Sequence, residues 1–336
     1  MRKYNFSYEL LDSRLKPIRN IYPKSCSIDY DSLATLKISA NITIKDDESN
    51  YNDMNIAIKD NDEVVATVLV STSSRDRHAK TRTFTCYDRC IILEQDKLTD
   101  SIVIPAFTNI VKYISDMLKG YDNAFSLIES NATNKADIFF QVGTSKIEVI
   151  NYLLNLINYS SLLTDRHGVY YAKKYVLPNE RDIEITYTDD INTSIVYRDV
   201  RQEQDLFNVP NVFVRTTNNA AINPPLKAVY ENNNPDSVAS TASRGRRIVD
   251  FKEIDNVTDS DTLFEITKKE AYQASDIYEN IEITSVINKK HWYLNCIALN
   301  LKTYNINDKY IETSWSIDNL RAGGKMKHKM RRVIHV

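Results

Sequence analysis

The chain has 336 residues, 42% hydrophobic and 26% charged, with a formal net charge of −2, which suits a globular protein with room for two domains or three small ones. Six glycines leave little from which to build a glycine-rich phosphate loop, and no run approaches the roughly 18 apolar residues of a membrane span. The opening MRKYNFSYELLDSRLKPI lacks the apolar core and cleavage site of a signal peptide, so the expectation is a protein folded in the cytoplasm without membrane insertion.

The first hundred residues read as strands. Leu36, Ile38, Ala40, Ile42 and Ile44 alternate with polar neighbours, a period-2 pattern that buries one face. VVATVLV from Val64 follows the turn-like DND at 60–62, and TRTFTCYDRCIIL from Thr81 reads as a strand running into a short apolar segment. Cys26, Cys86, Cys90 and Cys296 are too scattered for a disulfide framework or a paired-CxxC zinc site, and buried thiols are expected.

The character changes at Pro105. Ile110, Val111, Ile114, Met117 and Leu118 recur at helical spacing, with Gly120 as a stop. In the next helix Ser145 and Glu148 form an S-x-x-E capping box ahead of the stripe Ile147, Ile150, Leu153, Leu154 and Ile157. SSLLTDRHGVYYAKKYV then predicts a hairpin turning at Asp165 to Gly168. From Pro178 strands resume, interrupted by a polar stretch at 231–247 that reads as a long surface loop, mobile unless a partner orders it. A helix near 259–276, capped by Thr258 or Asp259, precedes the strand-like runs IEITSVI, HWYLNCIALNLKTY and YIETSWSI. The fold class is therefore mixed, β-rich α+β: a β-barrel-like domain at 1–104, an α/β insert with two helices at 105–176, and a second β-barrel-like domain at 177–336.

Little in the chain asks to be an active site. Asp165 and His167 invite an acid/base reading, but they sit where a hairpin tip wants polar residues. Asp46-Asp47-Glu48, Asp60/Asp62 and Asp189-Asp190 lack the spacing of a calcium loop and read as solvated turns. The five histidines, His78, His167, His291, His328 and His335, show no local metal spacing. No enzyme activity, cofactor or metal is expected.

The C-terminal stretch is basic but patterned. Lys325, Lys327, Lys329 and Arg331 alternate with Met326, His328, Met330 and Arg332, which describes a strand with one basic and one largely apolar face, brought back by a turn at Gly323-Gly324. A disordered nucleic-acid arm has no use for the methionines, and direct nucleic-acid binding is not expected.

Several stretches in series resemble a known family. YNFSYELLDSRLKPIRNI, SCSIDYDSLATLKISANITIKDD, FTCYDRCIILEQDKL, IPAFTNIVKYISDML, QVGTSKIEVINYLLNLINYSSLLTDRHGVYYAKKYVLP, EQDLFNVPNVFVRTTNN, NPDSVASTASRGRRIV and WSIDNLRAGGKMKHKMRRVI are similar, in order, to the hub proteins of phage tail tips and baseplates that share the T4 baseplate hub fold. The resemblance implies two similar β-barrels with smaller α/β parts and a homotrimeric ring whose six barrels imitate the sixfold tail tube. It also implies a place at the virion tail tip or baseplate. The partners would be a distal tail or tail tube protein on one side and a spike, fibre or tape-measure protein on the other. The chain stops at the second barrel, which implies a hub without an appended hydrolase. Candidate assembly contacts are Arg244, Arg246 and Arg247 of the polar loop and Lys325, Lys327, Lys329 and Arg331 of the closing strand. Two rivals stand beside this reading. One is a carbohydrate- or receptor-binding tail protein using Trp292 and Trp315; the other is a cell-wall hydrolase using Asp165 and His167.

Overall fold

Period-2 patterning carries most of this chain into strands. The computed structural model describes residues 5–121, 125–127, 130–190, 194, 196–218, 223–254, 257, 259–275, 279–321 and 323–333. The first part contains β1 (Phe6–Leu11), β2 (Pro17–Ile21), β3 (Pro23–Asp31), β4 (Ile38–Lys45), β5 (Asn55–Asp60), β6 (Glu63–Asp76), β7 (Thr81–Tyr87) and the short helix α1 (Cys90–Gln95). The middle contains β8 (Ile102–Ile104), α2 (Ile110–Leu118), β9 (Phe125–Leu127), β10 (Ile138–Phe140), α3 (Lys146–Leu156), β11 (Leu163–Thr164) and β12 (Tyr170–Ala172). Then come β13 (Ile185–Thr188), β14 (Arg201–Gln204), β15 (Val212–Thr217), β16 (Lys227–Glu231), α4 (Thr241–Arg244), β17 (Val249–Ile254) and α5 (Ser260–Ser275). The last strands are β18 (Glu279–Val286), β19 (Cys296–Leu301), β20 (Ile306–Ile317) and β21 (Lys325–Arg332).

Strands from both ends of the chain share one 13-stranded sheet, ordered β14-β18-β21-β20-β3-β4-β7-β6-β5-β1-β2, with β19 also on β20 and β13 on β19. The joint is β20. Its earlier residues pair with β19, from Leu301↔Ile306 to Cys296↔Ile311, and its last ones pair with β3, from Ser314↔Asp31 to Ile317↔Ile28. One apolar cluster accordingly unites Ile28, Ile42 and Phe84 with Trp315, Ile317 and Met326. A second lies under Tyr187, Ile281, Leu299, Tyr310 and Met330. Each such buried side chain stabilises the fold by about 1.5–3 kcal/mol.

The insert follows its local signals. Ser145 Oγ accepts from the Glu148 backbone N–H while the Glu148 carboxylate accepts from that of Ser145, closing the predicted capping box. Asn109 caps α2 through the Lys112 N–H, and α2 ends in a 3₁₀ turn, Lys119–Tyr121, that contains Gly120. The hairpin forms between β11 and β12, with Asp165 accepting from the backbone N–H groups of His167 and Val169. Gly168 stands at φ +83°, where a Cβ would lie 2.9 Å from Arg89 Cδ.

Elsewhere the structure differs from the pattern. The CIIL segment after β7 is helical because buried Asp88 accepts from the Cys90 and Ile38 N–H groups and sets the turn, so Cys90 and Leu93 join the insert core. All four cysteines are free and buried, as expected. Asp60 is buried rather than solvated, accepting from the Asn5 N–H and the Asn61 amide. The 231–247 stretch holds its own order. Buried Asn232 donates to Ser237 Oγ, Ser240 caps α4, and Gly245 at φ +60° ends it. Asp259 caps the helix through the Thr262 N–H, while Thr258 lies outside the described residues. Among the described residues no helix is long and apolar enough to cross a membrane.

The closing strand alternates exposed and buried residues from Lys325 to Met330 and lies between β18 and β20; 334–336 lie outside the described residues. Its entry turn depends on glycine twice: Gly323 has φ +77°, and a Cβ on Gly324 would lie 2.6 Å from Asn319 O and 3.0 Å from Arg321 O. Gly324→Ala is expected to cost about 2 kcal/mol through this overpacking against backbone, read as a lowered urea midpoint with an unchanged slope.

Candidate functional site

The most concentrated chemistry lies inside the second β region. Glu312 sits on β20 where the ladder to β21 shifts register between Glu312 and Ser314. This β-bulge reverses the alternation, so Glu312 and Trp315, three apart, are both buried. His328 occupies the inward side of β21 between Met326 and Met330. His291 comes from the turn before β19, where HWYLN predicts strand but pairing begins only at Cys296.

These three side chains meet with none of their surface exposed. Glu312 Oε2 lies 2.6 Å from His291 Nδ1, and Oε1 lies 2.7 Å from His328 Nδ1. The far ring nitrogens are also engaged: His291 Nε2 is 2.8 Å from Tyr187 Oη, and His328 Nε2 is 2.8 Å from Ser285 Oγ. Ser285 Oγ donates to Val286 O at 2.8 Å and lies 3.3 Å from Tyr187 Oη. The imidazole rings are 4.5 Å apart. Burial opposes charge throughout: it pushes the Glu312 carboxyl up to about 6, His291 down to about 3, and His328 below its ordinary value. A groove of about 600 Å³ flanked by Asp29, Asp199, Arg201 and Lys327 runs along β21 beside His328, whose side chain is fully buried.

The candidate assembly residues do not form one surface. Arg244 donates to the carbonyls of Val209 and Phe207, and Arg246 donates to the latter while lying over the Phe207 ring, so both tie the polar loop to the 206–209 turn. Arg247 pairs with Glu231 at 3.3 Å. On the closing strand Lys325 lies over Tyr197 at 4.4 Å, Lys327 pairs with Asp318 and Lys329 with Glu282. Arg331 lines a different cavity, of about 500 Å³, with Tyr175, Arg215 and Lys269. Exposed pairs of this kind contribute little to stability.

The residues of the two rival readings are placed otherwise. Asp165 spends its carboxylate on backbone N–H groups, and His167 is exposed beside it. Trp315 is buried, and Trp292 lies under the Arg166 guanidinium, 5.3 Å from ring centre.

Comparison with known proteins places the fold. No family model matches the chain, and no curated relative does. Among solved structures it is similar to a tail protein from Neisseria meningitidis MC58, with a TM-score of 0.70 at 12% identity over 98% of this chain and 97% of the other. It is also similar to the 43 kDa tail protein of prophage MuSo2 from Shewanella oneidensis, with a TM-score of 0.65 at 12% identity over 97% and 98% of the two chains. An E. coli type VI secretion component, described as structurally similar to the T4 bacteriophage tail proteins gp27 and gp5, matches with a TM-score of 0.50 at 9% identity; the match covers all of this chain and 77% of that one. The chain has a phage tail and baseplate hub-like fold.

Proposed function

We propose that this chain is the structural hub of the tail tip or baseplate of a phage or phage-tail-like particle. Three copies close a ring that adapts the sixfold tail tube to a threefold spike, fibre or tape-measure end. The observation that carries the reading is the near end-to-end likeness to tail proteins, which leaves almost no part of either chain unmatched. Residues 1–104 and 177–336 would act as the two tube-like β units of each copy, with 105–176 set between them.

A closed ring of one chain needs two different, complementary surfaces. The molecule offers two separated apolar faces. On the insert, Val103 and Phe139 are direct cross-strand partners, and both are exposed, as are Phe107 and Val142. On the small sheet β16-β15-β17, a row runs from Val229 through Val214 to Phe251, with Val229, Phe251 and neighbouring Val249 exposed. Exposed apolar faces of this kind mark association surfaces. Arg247, paired with Glu231 at the end of β16, would border the second face, and Lys325, Lys327 and Lys329 on β21 would be further contacts apart from it.

Gold-labelled antibody to this chain, imaged on isolated tail particles, tests the placement. Label confined to the distal end of the tail is expected. Label along the tube, or none on intact and opened particles, would overturn it.

A further inference from the structure

With neutral imidazoles and an ionised carboxylate, the hydrogen-bond bookkeeping of the buried network does not close. Five contacts of 2.8 Å or shorter hold it together: Tyr187 Oη to His291 Nε2, His291 Nδ1 to Glu312, Glu312 to His328 Nδ1, His328 Nε2 to Ser285 Oγ, and Ser285 Oγ to Val286 O. Each contact needs one proton. Neutral imidazoles, a carboxylate and two hydroxyls carry four, because each ring and each hydroxyl brings only one and the carboxylate none. Some contact below 3 Å would therefore set two lone pairs against each other, unless a fully buried group takes up charge or an added proton against desolvation.

We propose that His291, Glu312 and His328 bind a divalent transition-metal ion, zinc by ligand type, through the two Nδ1 atoms and the Glu312 carboxylate. The candidate donor atoms lie within 4.8 Å of one another. Two imidazoles and a carboxylate are a recurrent zinc donor set. The ion replaces the two contacts to Glu312, and the four protons then have four places to go. His291 Nε2–H donates to Tyr187 Oη, His328 Nε2–H to Ser285 Oγ, Ser285 O–H to Val286 O, and Tyr187 O–H to Ser285 Oγ across the 3.3 Å contact. Tyr187 and Ser285 thereby do what outer partners of zinc-bound histidines do: they accept the distal N–H and fix the ring. Ligands about 2.0 Å from a tetrahedral ion lie about 3.3 Å apart, so the nitrogen and oxygen atoms need to part by roughly 0.6 Å from their present 2.6 and 2.7 Å. Such an ion ties β20, β21 and the turn before β19 together, and its binding free energy becomes folding free energy.

The test uses the full chain, stripped with a chelator, equilibrated with zinc chloride and desalted. One tightly held zinc per chain is expected, with a raised melting temperature and an X-ray absorption edge showing two imidazole nitrogens and light oxygen scatterers. Ser285→Ala keeps the three ligands, and its zinc affinity is expected to fall by about tenfold; Glu312→Gln is expected to abolish tight binding. Should Glu312→Gln fail to fold, the wild-type stoichiometry and absorption spectrum decide. Zinc well below one equivalent, a spectrum without imidazole, or binding unchanged in both variants would overturn the proposal.

Discussion

Phe139→Asp and Phe251→Asp, made separately, are each expected to reduce the assembled chain to a folded monomer. Both side chains are more than half exposed, at 59% and 58%, so an aspartate at either position leaves the fold intact. Buried in an interface, it would be an unpaired charge. The sharper expectation concerns a mixture. Because a ring is built from two unlike faces, a chain whose insert face is spoiled still has a sound small-sheet face, and the reverse holds for the other variant. Mixing the two is expected to give heterodimers that cannot close. Light scattering reads this directly: a species of twice the monomer mass supports heterologous faces. Full recovery of a closed ring, or no effect from either substitution, removes these patches from the interface.

The second large effect is expected at Glu279, whose side chain is fully buried. Its carboxylate accepts from Gln202 and Gln204 at 2.8 and 3.0 Å, from Tyr310 at 2.7 Å and from Arg332 at 3.1 Å. The edge strand β14 and the central strands β20 and β21 therefore converge on one group. Burial alone pushes this carboxyl up, but the Tyr310 and Gln202 hydrogen bonds, the Arg332 charge and Gln204 together hold it below its ordinary range. Glu279→Ala strands the Tyr310 hydroxyl and weakens the hold on Arg332, and is expected to cost about 3 kcal/mol, the low end for a broken buried pair because Arg332 is partly exposed. The sign with pH follows from linkage. A carboxyl whose folded pKa is lowered contributes stability above its unfolded pKa, and that contribution is lost as pH falls through the folded value. Wild type should thus lose stability on acidification below the ordinary glutamate range more steeply than Glu279→Ala. Parallel acid limbs in urea titrations of the two proteins would contradict the assignment.

What was legible in the sequence was local. The strand Ile38–Lys45, the capping box of Ser145 and Glu148, the hairpin at Asp165 and the alternation of Lys325–Met330 each depend on residues a few positions apart, where side-chain period and capping chemistry act. The order of 231–247 was hidden because it rests on Asn232, Ser237 and Ser240, polar residues that a loop would also carry. The joining of both β regions through β20 was hidden because it pairs Ile317 with Ile28, far apart in the chain. The buried network was hidden for two reasons: five separate segments supply it, and the bulge after Glu312 turns inward a residue that alternation from Trp315 places outward. One signal was present, a histidine on the otherwise methionine-lined inward face of the closing strand. A polar ring there needs a partner.

The most direct measurement is the solution mass of the purified chain by light scattering, with electron microscopy of the same sample. A species of three times the monomer mass, seen as a ring with an open centre and six lobes, is the predicted result. A stable dimer, or a compact particle without a channel, would contradict the hub.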